Sequence, residues 1–341
     1  MTLTEALAIV AGVVLALIVA HGAWKARRAS PRQPQPVPRA ERVEPTLGSS
    51  EAPVPPAVAV PVDANPRRGP RIDALIDAIA TLRVEALVSG EFVLAHAPTT
   101  RRAGSKPFLI EGLNADSGEW EAIALEQRYS ELQAGVQLAN RSGALNEIEY
   151  SEFAQKLQDF AENIGAMVEL PDMLAVAARA RELDGFAGQH DAQLTVTLRS
   201  NALPWSLGYL EQTAARYGFV PGAVSGRLVL PAAEEHAPPV LVLGFDPRVA
   251  LAEHPEQSAL REVALSLDVP QTAEAAEPFA LWQQVARGLA DDMDATLVDD
   301  HGEPITLHAF DTIGHELSQM YRALEARDLG AGSPTTRRLF S

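Results

Sequence analysis

The chain of 341 residues is long enough for about two domains, and 47% apolar residues with 25 Pro and 23 Gly describe a foldable protein with irregular stretches. It has no cysteine, which excludes disulfides, thiolate metal sites, iron–sulfur clusters and a cysteine nucleophile. The formal charge of -17 is uneven: residues 1–70 hold eight Lys/Arg and five Asp/Glu, and the remainder, with 20 basic and 40 acidic residues, would repel nucleic acid.

A charge-free apolar stretch runs from Ala6 to Trp24. A helix of this length measures about 28 Å, which is close to the hydrocarbon thickness of a bilayer. A cleaved signal peptide would have a basic segment before its apolar run, whereas the only charged side chain before this one is Glu5. We therefore predict a transmembrane anchor over residues 1–24.

The orientation of this anchor follows from the basic residues that come directly after it. These are Lys25, Arg27, Arg28 and Arg32. Positively charged flanks stay on the cytoplasmic side of a membrane. The sequence thus predicts a single-pass protein with its N-terminus outside the cytoplasm and its body inside.

Residues 25–70 read as a proline-rich, disordered linker. Eleven prolines and few large apolar residues fall between positions 26 and 70. Such a composition cannot build a core and favours semi-extended polyproline II segments, with a reach of at most about 100 Å. A passive tether is favoured over a ligand for proline-binding domains, because nothing marks one particular PxxP motif.

The remaining chain shows signs of an internal repeat. A strand, an amphipathic helix and a second strand occur twice, and Val136 with Leu265 and Ala166 with Ala295 are both offset by 129 positions. We predict two α+β modules of antiparallel sheet with helices on one face, over residues 71–188 and 189–328. Residues 329–341 are predicted to be a flexible tail.

The second module has the clearest strand patterns. Val196 and Leu198 alternate with Thr195 and Thr197, so one sheet face is apolar and the other polar. The helical segments 205–217, 278–292 and 306–326 each carry one apolar stripe. We expect them to cover one side of the sheet and to leave the other side open for a partner.

Motifs for catalysis or metal binding are weak. The chain has no glycine-rich phosphate loop, and the serine in Gly222–Gly226 is one position away from a nucleophile elbow. His308 and His315 would lie about 10 Å apart on a helix, which is too far for one ion. The acids between Asp291 and Asp300 lack the spacing of a calcium loop. We predict no catalytic residue, cofactor, metal or small-molecule substrate.

The order of parts resembles the ZipA family of bacterial division proteins, which tether the tubulin-like protein FtsZ to the inner membrane. The features that carry this resemblance are the N-terminal apolar segment, the basic residues, the proline-rich linker and the end of the body. At that end a strand finishing at Asp268-Val-Pro270 precedes a helix, the run Asp294–Asp300 and a helix started by Thr306. The similarity spans residues 190–328.

The resemblance implies a six-stranded antiparallel sheet with three helices on one face and an open face that binds the C-terminal tail of FtsZ. It assigns groove positions to Val224, Phe245, Ser266 and Arg248. Ser266 stands where the family has phenylalanine, and losing that ring would weaken the groove by about 1 kcal/mol. Further contacts are expected from Leu243, Arg227, Arg199 and Thr195.

The resemblance therefore implies an FtsZ tether at the inner membrane. Two other hypotheses remain at this stage. One is a membrane-anchored scaffold for a different division or envelope protein, and the other is an anchored enzyme. An enzyme would reveal itself by a deep pocket that gathers titratable groups.

Overall fold

The structure, a computed structural model, describes residues 32–33, 71–234, 237–251, 259–305 and 307–341. They fall into two compact units. The first contains residues 71–191 and 333–341, and the second contains residues 32–33 and 192–332. Within the described part of the chain, no helix has the length and apolarity to cross a membrane. The predicted anchor at 1–24 and nearly all of the predicted linker lie outside the described residues.

The first unit contains a mixed succession of strands and helices. In chain order they are β1 (Asp77–Ser89), α1 (Gly90–His96), β2 (Arg102–Ala103), β3 (Lys106–Asn114), β4 (Trp120–Ala122), β5 (Arg128–Gln137), β6 (Ala139–Asn140), β7 (Gly143–Ala144), α2 (Glu147–Ile164), β8 (Ala166–Glu169) and α3 (Met173–His190). The main sheet has the order β2-β3-β5-β1-β8, with β4 also paired to β3. The described pairings within it are antiparallel.

Helix α2 covers one face of this sheet. Asn146 caps its start in a reciprocal capping box with Glu149, and Gly165 ends it in the left-handed conformation. Its apolar stripe is buried, and Phe153 meets Phe108 of β3 edge-to-face at 5.4 Å between ring centroids. The helix therefore supplies one half of the core of the first unit.

The opposite face of the first sheet is partly covered by the segment just before β1. The backbone N–H groups of Arg71 and Ile72 both donate to Glu111 Oε1 of β3. Ile72 lies over Gly135 of β5, where an added Cβ would come within 2.6 Å of Ile72 Cγ2. The absence of a side chain at Gly135 thus makes room for Ile72, which is buried.

The second unit follows directly. Its elements are β9 (Gln193–Ser200), α4 (Leu207–Ala215), β10 (Val220–Pro221), β11 (Arg227–Leu230), β12 (Leu241–Gly244), α5 (Pro247–Ala250), β13 (Glu262–Asp268), α6 (Pro278–Met293), β14 (Ala295–Val298) and α7 (Leu307–Glu325). Six strands form an antiparallel sheet in the order β10-β11-β12-β13-β9-β14. A mixed α+β fold with antiparallel sheets is therefore confirmed.

Apolar side chains from the second sheet and from α4, α6 and α7 build one core. Trp282 of α6 is buried, and its Nε1–H donates to the Leu265 carbonyl at 3.1 Å. The same ring meets Phe310 of α7 edge-to-face at 5.9 Å between centroids. These contacts fix the helices on the sheet face that carries the alternating leucines and valines.

The last residues of the chain return to the first unit as helix α8 (Pro334–Leu339). Leu339 and Phe340 are buried, at 0% and 1% exposure. Arg338 donates to both carboxylate oxygens of Asp77, at 2.9 and 2.6 Å, and also to the Arg71 carbonyl. Residues 333–341 therefore form an ordered part of the first unit, which differs from the flexible tail predicted for 329–341.

The two units share one arrangement of elements. In each, the first strand lies between the last long strand before the long helix and the strand that follows this helix: β5-β1-β8 and β13-β9-β14. The helix ends also agree, because Gly165 after α2 and Asp294 after α6 are both left-handed and stand 129 positions apart. The sheets differ beyond this, since β3 pairs with both β4 and β5, whereas β11, β12 and β13 form a simple meander. Duplication itself stays a prediction.

Candidate partner-binding face of the second sheet

The two faces of the second sheet have different chemistry because side chains alternate along each strand. One face packs against the helices and is largely buried. The other face, called here the open face, carries small, polar and half-buried aliphatic side chains. Its members in the central strands are Thr195, Thr197 and Arg199 of β9, Arg227 and Val229 of β11, Val242 and Gly244 of β12, and Glu262, Ala264 and Ser266 of β13.

One cross-strand row of the open face runs from valines to hydroxyl groups. Val229 pairs with Val242, Val242 with Ser266, and Ser266 with Thr195. Val220 of the short strand β10 extends the row beyond Val229 and is 46% exposed. This row offers an apolar strip with a polar end.

The adjacent row is built from small residues. Arg227 pairs with Gly244, Gly244 with Ala264, and Ala264 with Thr197. Gly244 and Ala264 leave little side-chain volume above the middle of the sheet. From these side-chain sizes we infer a shallow depression above Gly244 and Ala264, where the backbone or a bulky apolar side chain of a partner could approach the sheet closely.

Charged residues stand at the ends of these rows. Arg227 is exposed beside Gly244 and is available to an acidic group of a partner. Arg199, in contrast, already donates from Nε to Glu262 Oε1 at 2.8 Å across β9 and β13. We therefore expect Arg227 to contribute more to partner contacts than Arg199.

Two further predicted residues lie on the rim. Val224 is 57% exposed in the turn between β10 and β11. Arg248 is exposed in the short helix α5, whose start is capped by Asp246 through the Arg248 N–H at 2.9 Å. Gly226 has a φ of 82° in the same turn, and a Cβ there would meet the Phe245 carbonyl at 2.7 Å.

Two of the predicted contact residues do not lie on the open face. Leu243 is 0% exposed and pairs with Leu228 and Leu265, which are also buried beneath the helices. Phe245 is partly buried and packs against the same core. Assigning Leu243 to the open face was wrong, because the alternation along β12 turns it towards the helices. Phe245 comes directly after the end of β12 and contacts the core instead.

The residues that the sequence analysis missed are Val229, Val242, Gly244 and Ala264. For Ala264 the signal was the alternation along β13, whereas residues 240–245 are all apolar or glycine and do not show from the sequence alone which side of β12 faces out. Once Leu243 is assigned to the core by its pairing with two other leucines, Val242 and Gly244 must point to the other face.

The first unit contains a buried polar cluster in the turn between β2 and β3. Lys106 is 0% exposed and donates from Nζ to Asn140 Oδ1 at 2.7 Å and to Ser105 Oγ at 3.0 Å. Burial lowers the pKa of Lys106. Ser105 donates from both N and Oγ to Glu149 Oε1, at 2.8 Å each. Because Glu149 belongs to the capping box of α2, this cluster joins the β2–β3 turn to the start of that helix.

The histidines and acids that were considered and rejected as metal ligands include His301 and Asp300 of the second unit. His301 lies near Asp300, at 3.7 Å between Nε2 and Oδ1, and both side chains are largely exposed. Among the residues that the structure describes, no group of three or more His, Asp or Glu side chains could hold a metal ion.

Residues 251–316 match the family model described as the C-terminal FtsZ-binding domain of ZipA. The matched range contains β13, α6 and β14 and extends into α7, and it lies entirely within the second unit. No curated protein matches the chain. The resemblance drawn from the sequence is thereby confirmed for this range, and the second unit contains a ZipA-like domain.

Proposed function

We propose that this protein links FtsZ polymers to the bacterial inner membrane, with the open face of the second sheet binding the C-terminal tail of FtsZ. The observation that carries the proposal is the match of residues 251–316 to a ZipA FtsZ-binding domain, a range that includes β13 and β14 of this sheet and the helix α6 packed on it. The proposed role is recruitment in cell division, not catalysis.

The open face supports this role through its shape and composition. A short peptide binds well where a few apolar anchors enter a shallow groove and polar groups surround them. Val229 and Val242 would contact apolar side chains of the tail, and Gly244 with Ala264 would admit them close to the sheet. Arg227 and Arg248 would meet acidic residues of the tail.

The membrane part of the proposal comes from the sequence. The apolar stretch Ala6–Trp24 and the basic residues after it favour a single-pass anchor with the body in the cytoplasm. Such an anchor would hold many copies at one surface. Because an FtsZ polymer displays many tails, individually weak contacts would add up to a stable attachment.

Peptide binding is tested by titrating the full-length protein, in detergent micelles, into a fluorescent peptide of the FtsZ C-terminal tail and following anisotropy. We expect saturable binding that falls at least tenfold in a Val242→Glu variant. Ile148→Glu is the matched control, because Ile148 is 82% exposed on α2 of the first unit. Equal loss in both variants, or no binding by the wild type, would contradict the assignment of this face.

Membrane tethering is tested separately by floating liposomes that carry the full-length protein and adding FtsZ polymers. We expect FtsZ to float with the vesicles, and to stay behind when FtsZ lacks its tail or the protein lacks residues 1–24. Peptide binding without flotation would retain the FtsZ site and overturn the membrane anchor. Flotation of the protein without any FtsZ binding would favour a scaffold for another division or envelope protein.

A further inference from the structure

Arg32, which lies in the predicted linker, forms backbone hydrogen bonds with the second unit. Arg32 forms a parallel bridge with Trp205, in the loop between β9 and α4. Its N–H donates to the Pro204 carbonyl at 2.6 Å, and its carbonyl accepts from the Ser206 N–H at 2.9 Å. The backbone of Arg32 is therefore held against this loop by a single β-bridge with two hydrogen bonds.

The side chain of Arg32 reaches the end of helix α6. Nη1 donates to the Met293 carbonyl at 3.1 Å, and Nη2 donates to Asp294 Oδ2 at 3.1 Å. The guanidinium carbon lies 6.0 Å from the centroid of the Tyr209 ring. The planar guanidinium is suited to such a site because its fixed donors can address a carbonyl and a carboxylate at once.

The groups that receive Arg32 are held in place by contacts of their own. Asp294 has a left-handed φ of 55°, and its Oδ1 accepts from Asn201 Nδ2 at 3.1 Å. The buried Trp205 donates from Nε1 to the same Met293 carbonyl at 2.9 Å. A helix C-terminus also carries partial negative charge. The site is thus preorganised for a cation that approaches in an extended segment.

We propose that the end of α6 and the β9–α4 loop form a recognition site for an extended peptide bearing an arginine, and that Arg32 of the same chain is its occupant. The site would bind the segment that follows the apolar stretch Ala6–Trp24 and hold it directly against the second unit. It is separate from the open face, since its residues lie in the β9–α4 loop, in α4 and at the end of α6.

The docking of Arg32 on this site, called here the clip, limits the distance between the second unit and the membrane. This consequence rests on the proposed membrane anchor. Only residues 25–31 separate Trp24 from Arg32, and they span at most about 28 Å when fully extended. The sequence alone predicted a spacer over 25–70 with a reach on the order of 100 Å. With Arg32 docked, residues 34–70 connect the clip to the first unit instead of spacing the second unit from the bilayer.

Trypsin tests the clip, because it cleaves after Arg32 and after Arg39 only where the backbone can enter its active site. The full-length protein in detergent micelles is digested, and each rate is divided by the rate in a free peptide of residues 25–45. We expect cleavage after Arg32 to be at least tenfold slower than after Arg39. Asp294→Asn should accelerate cleavage after Arg32 several-fold without changing cleavage after Arg39, since asparagine tolerates the left-handed backbone.

Two controls make the result specific. Asp291→Asn removes the same charge from an exposed position of α6 and should leave both rates unchanged. Arg32→Lys keeps a trypsin site but loses the planar donors, and should be cleaved faster than the wild type at this position.

Equal normalised rates after Arg32 and Arg39 in the wild type would overturn the proposal. Protection that rises with protein concentration would overturn occupation within one chain, because it would show binding between copies. The assay contains neither FtsZ nor a lipid bilayer. Its failure is therefore distinguishable from failure of the proposed tethering function.

Discussion

Thr195 and Ser266 stand opposite each other on the open face, and Thr195 Oγ1 donates to Ser266 Oγ at 3.2 Å. This hydroxyl pair occupies the place where the family resemblance would put a phenylalanine. It ends the valine row with polar groups and leaves the depression above Gly244 and Ala264 shallow. A partner must therefore gain its apolar contacts mainly from Val229 and Val242.

The first prediction concerns Ser266→Phe. A ring at this position would deepen the apolar groove beside Val242 and should tighten binding of the FtsZ tail by about 1 kcal/mol, or roughly fivefold. Anisotropy titration of the full-length protein measures the change. Gln193→Phe, at the end of the same face, adds the same ring away from the valine row and should leave affinity unchanged. Weaker binding by Ser266→Phe would contradict our placement of the groove.

The second prediction concerns salt. Between positions 192 and 332 the sequence contains eight arginines and 20 acidic residues. The second unit therefore repels an acidic tail at long range. Added salt screens this repulsion, whereas apolar contacts do not weaken. We expect affinity for the tail to stay constant or to rise between 50 and about 300 mM salt. A steep loss of affinity would mean that ion pairs dominate binding.

The third prediction concerns Gly135. A methyl group at this position would lie 2.6 Å from Ile72 Cγ2 and 3.2 Å from Asp77 Cβ. We expect Gly135→Ala to destabilise the first unit by about 1–3 kcal/mol and to speed tryptic cleavage after Arg71, because Ile72 must move. Gly185→Ala is the matched control in α3, where an added Cβ has no neighbour within 4 Å among the described residues. That substitution should stabilise the helix by about 0.5–1 kcal/mol.

The fourth prediction concerns Arg338. Its side chain is 20% exposed, and the Asp77 carboxylate that it pairs with is 0% exposed. Arg338→Ala would leave this buried charge without its strongest partner. We expect this to lower the free energy of unfolding of the first unit by about 3 kcal/mol. Hydrogen exchange in peptides from β1 and β5, measured at increasing urea concentrations, gives the loss of unfolding free energy in the first unit. Arg181→Ala removes a 65% exposed arginine whose pair with Glu147 is 3.6 Å long, and should cost less than about 0.5 kcal/mol.

The fifth prediction concerns Tyr321 and alkaline pH. Burial raises the pKa of Tyr321 to about 12, and the charge of Glu274 adds to this effect. The unfolded chain ionises near pH 10, so the free energy of unfolding of the second unit is unaffected by this ionisation below pH 10 and falls as pH rises towards 12. In urea titrations between pH 8 and about 11.5, the free energy of unfolding of the Tyr321→Phe variant should fall less with pH than that of the wild type.

The same substitution should raise stability at pH 8. The Tyr321 hydroxyl is buried and has no hydrogen-bond partner among the described residues. Removing it should gain about 1 kcal/mol, because no hydrogen bond is lost. Tyr209→Phe serves as the opposite case, since the Tyr209 hydroxyl donates to the Asp292 carbonyl at 2.9 Å. If both variants changed stability in the same direction, our account of Tyr321 would be wrong.

Much of the second sheet could be predicted from the sequence, because its pattern has a physical cause. Alternation in β9 and β13 follows from one face packing on helices, and it correctly placed Val196, Leu198 and Leu265 in the core. The same alternation rule did not give the correct outward face of β12. All its residues from 240 to 245 are apolar or glycine, so the short run gives no polar marker of which side faces out.

The contacts that sequence reasoning could not supply are those between distant residues. Arg338 and Asp77 are 261 positions apart, and Arg32 and Asp294 are 262 positions apart. Neither local propensity nor periodicity carries information about such pairs. The Thr-Thr-Arg-Arg run near the C-terminus reads as polar and exposed, yet Thr336 is fully buried.

The pair formed by Asp77 and Arg338 also sets an order of events during synthesis. Residues of the second unit leave the ribosome before Arg338 does, whereas most of the first unit has emerged long before. Domains generally fold as their chains emerge. The second unit can therefore complete its contacts first, and the earlier-made first unit lacks the ion pair to Asp77 until Arg338 has emerged. Nascent chains stopped before position 333 should accordingly be captured by chaperones through their first unit.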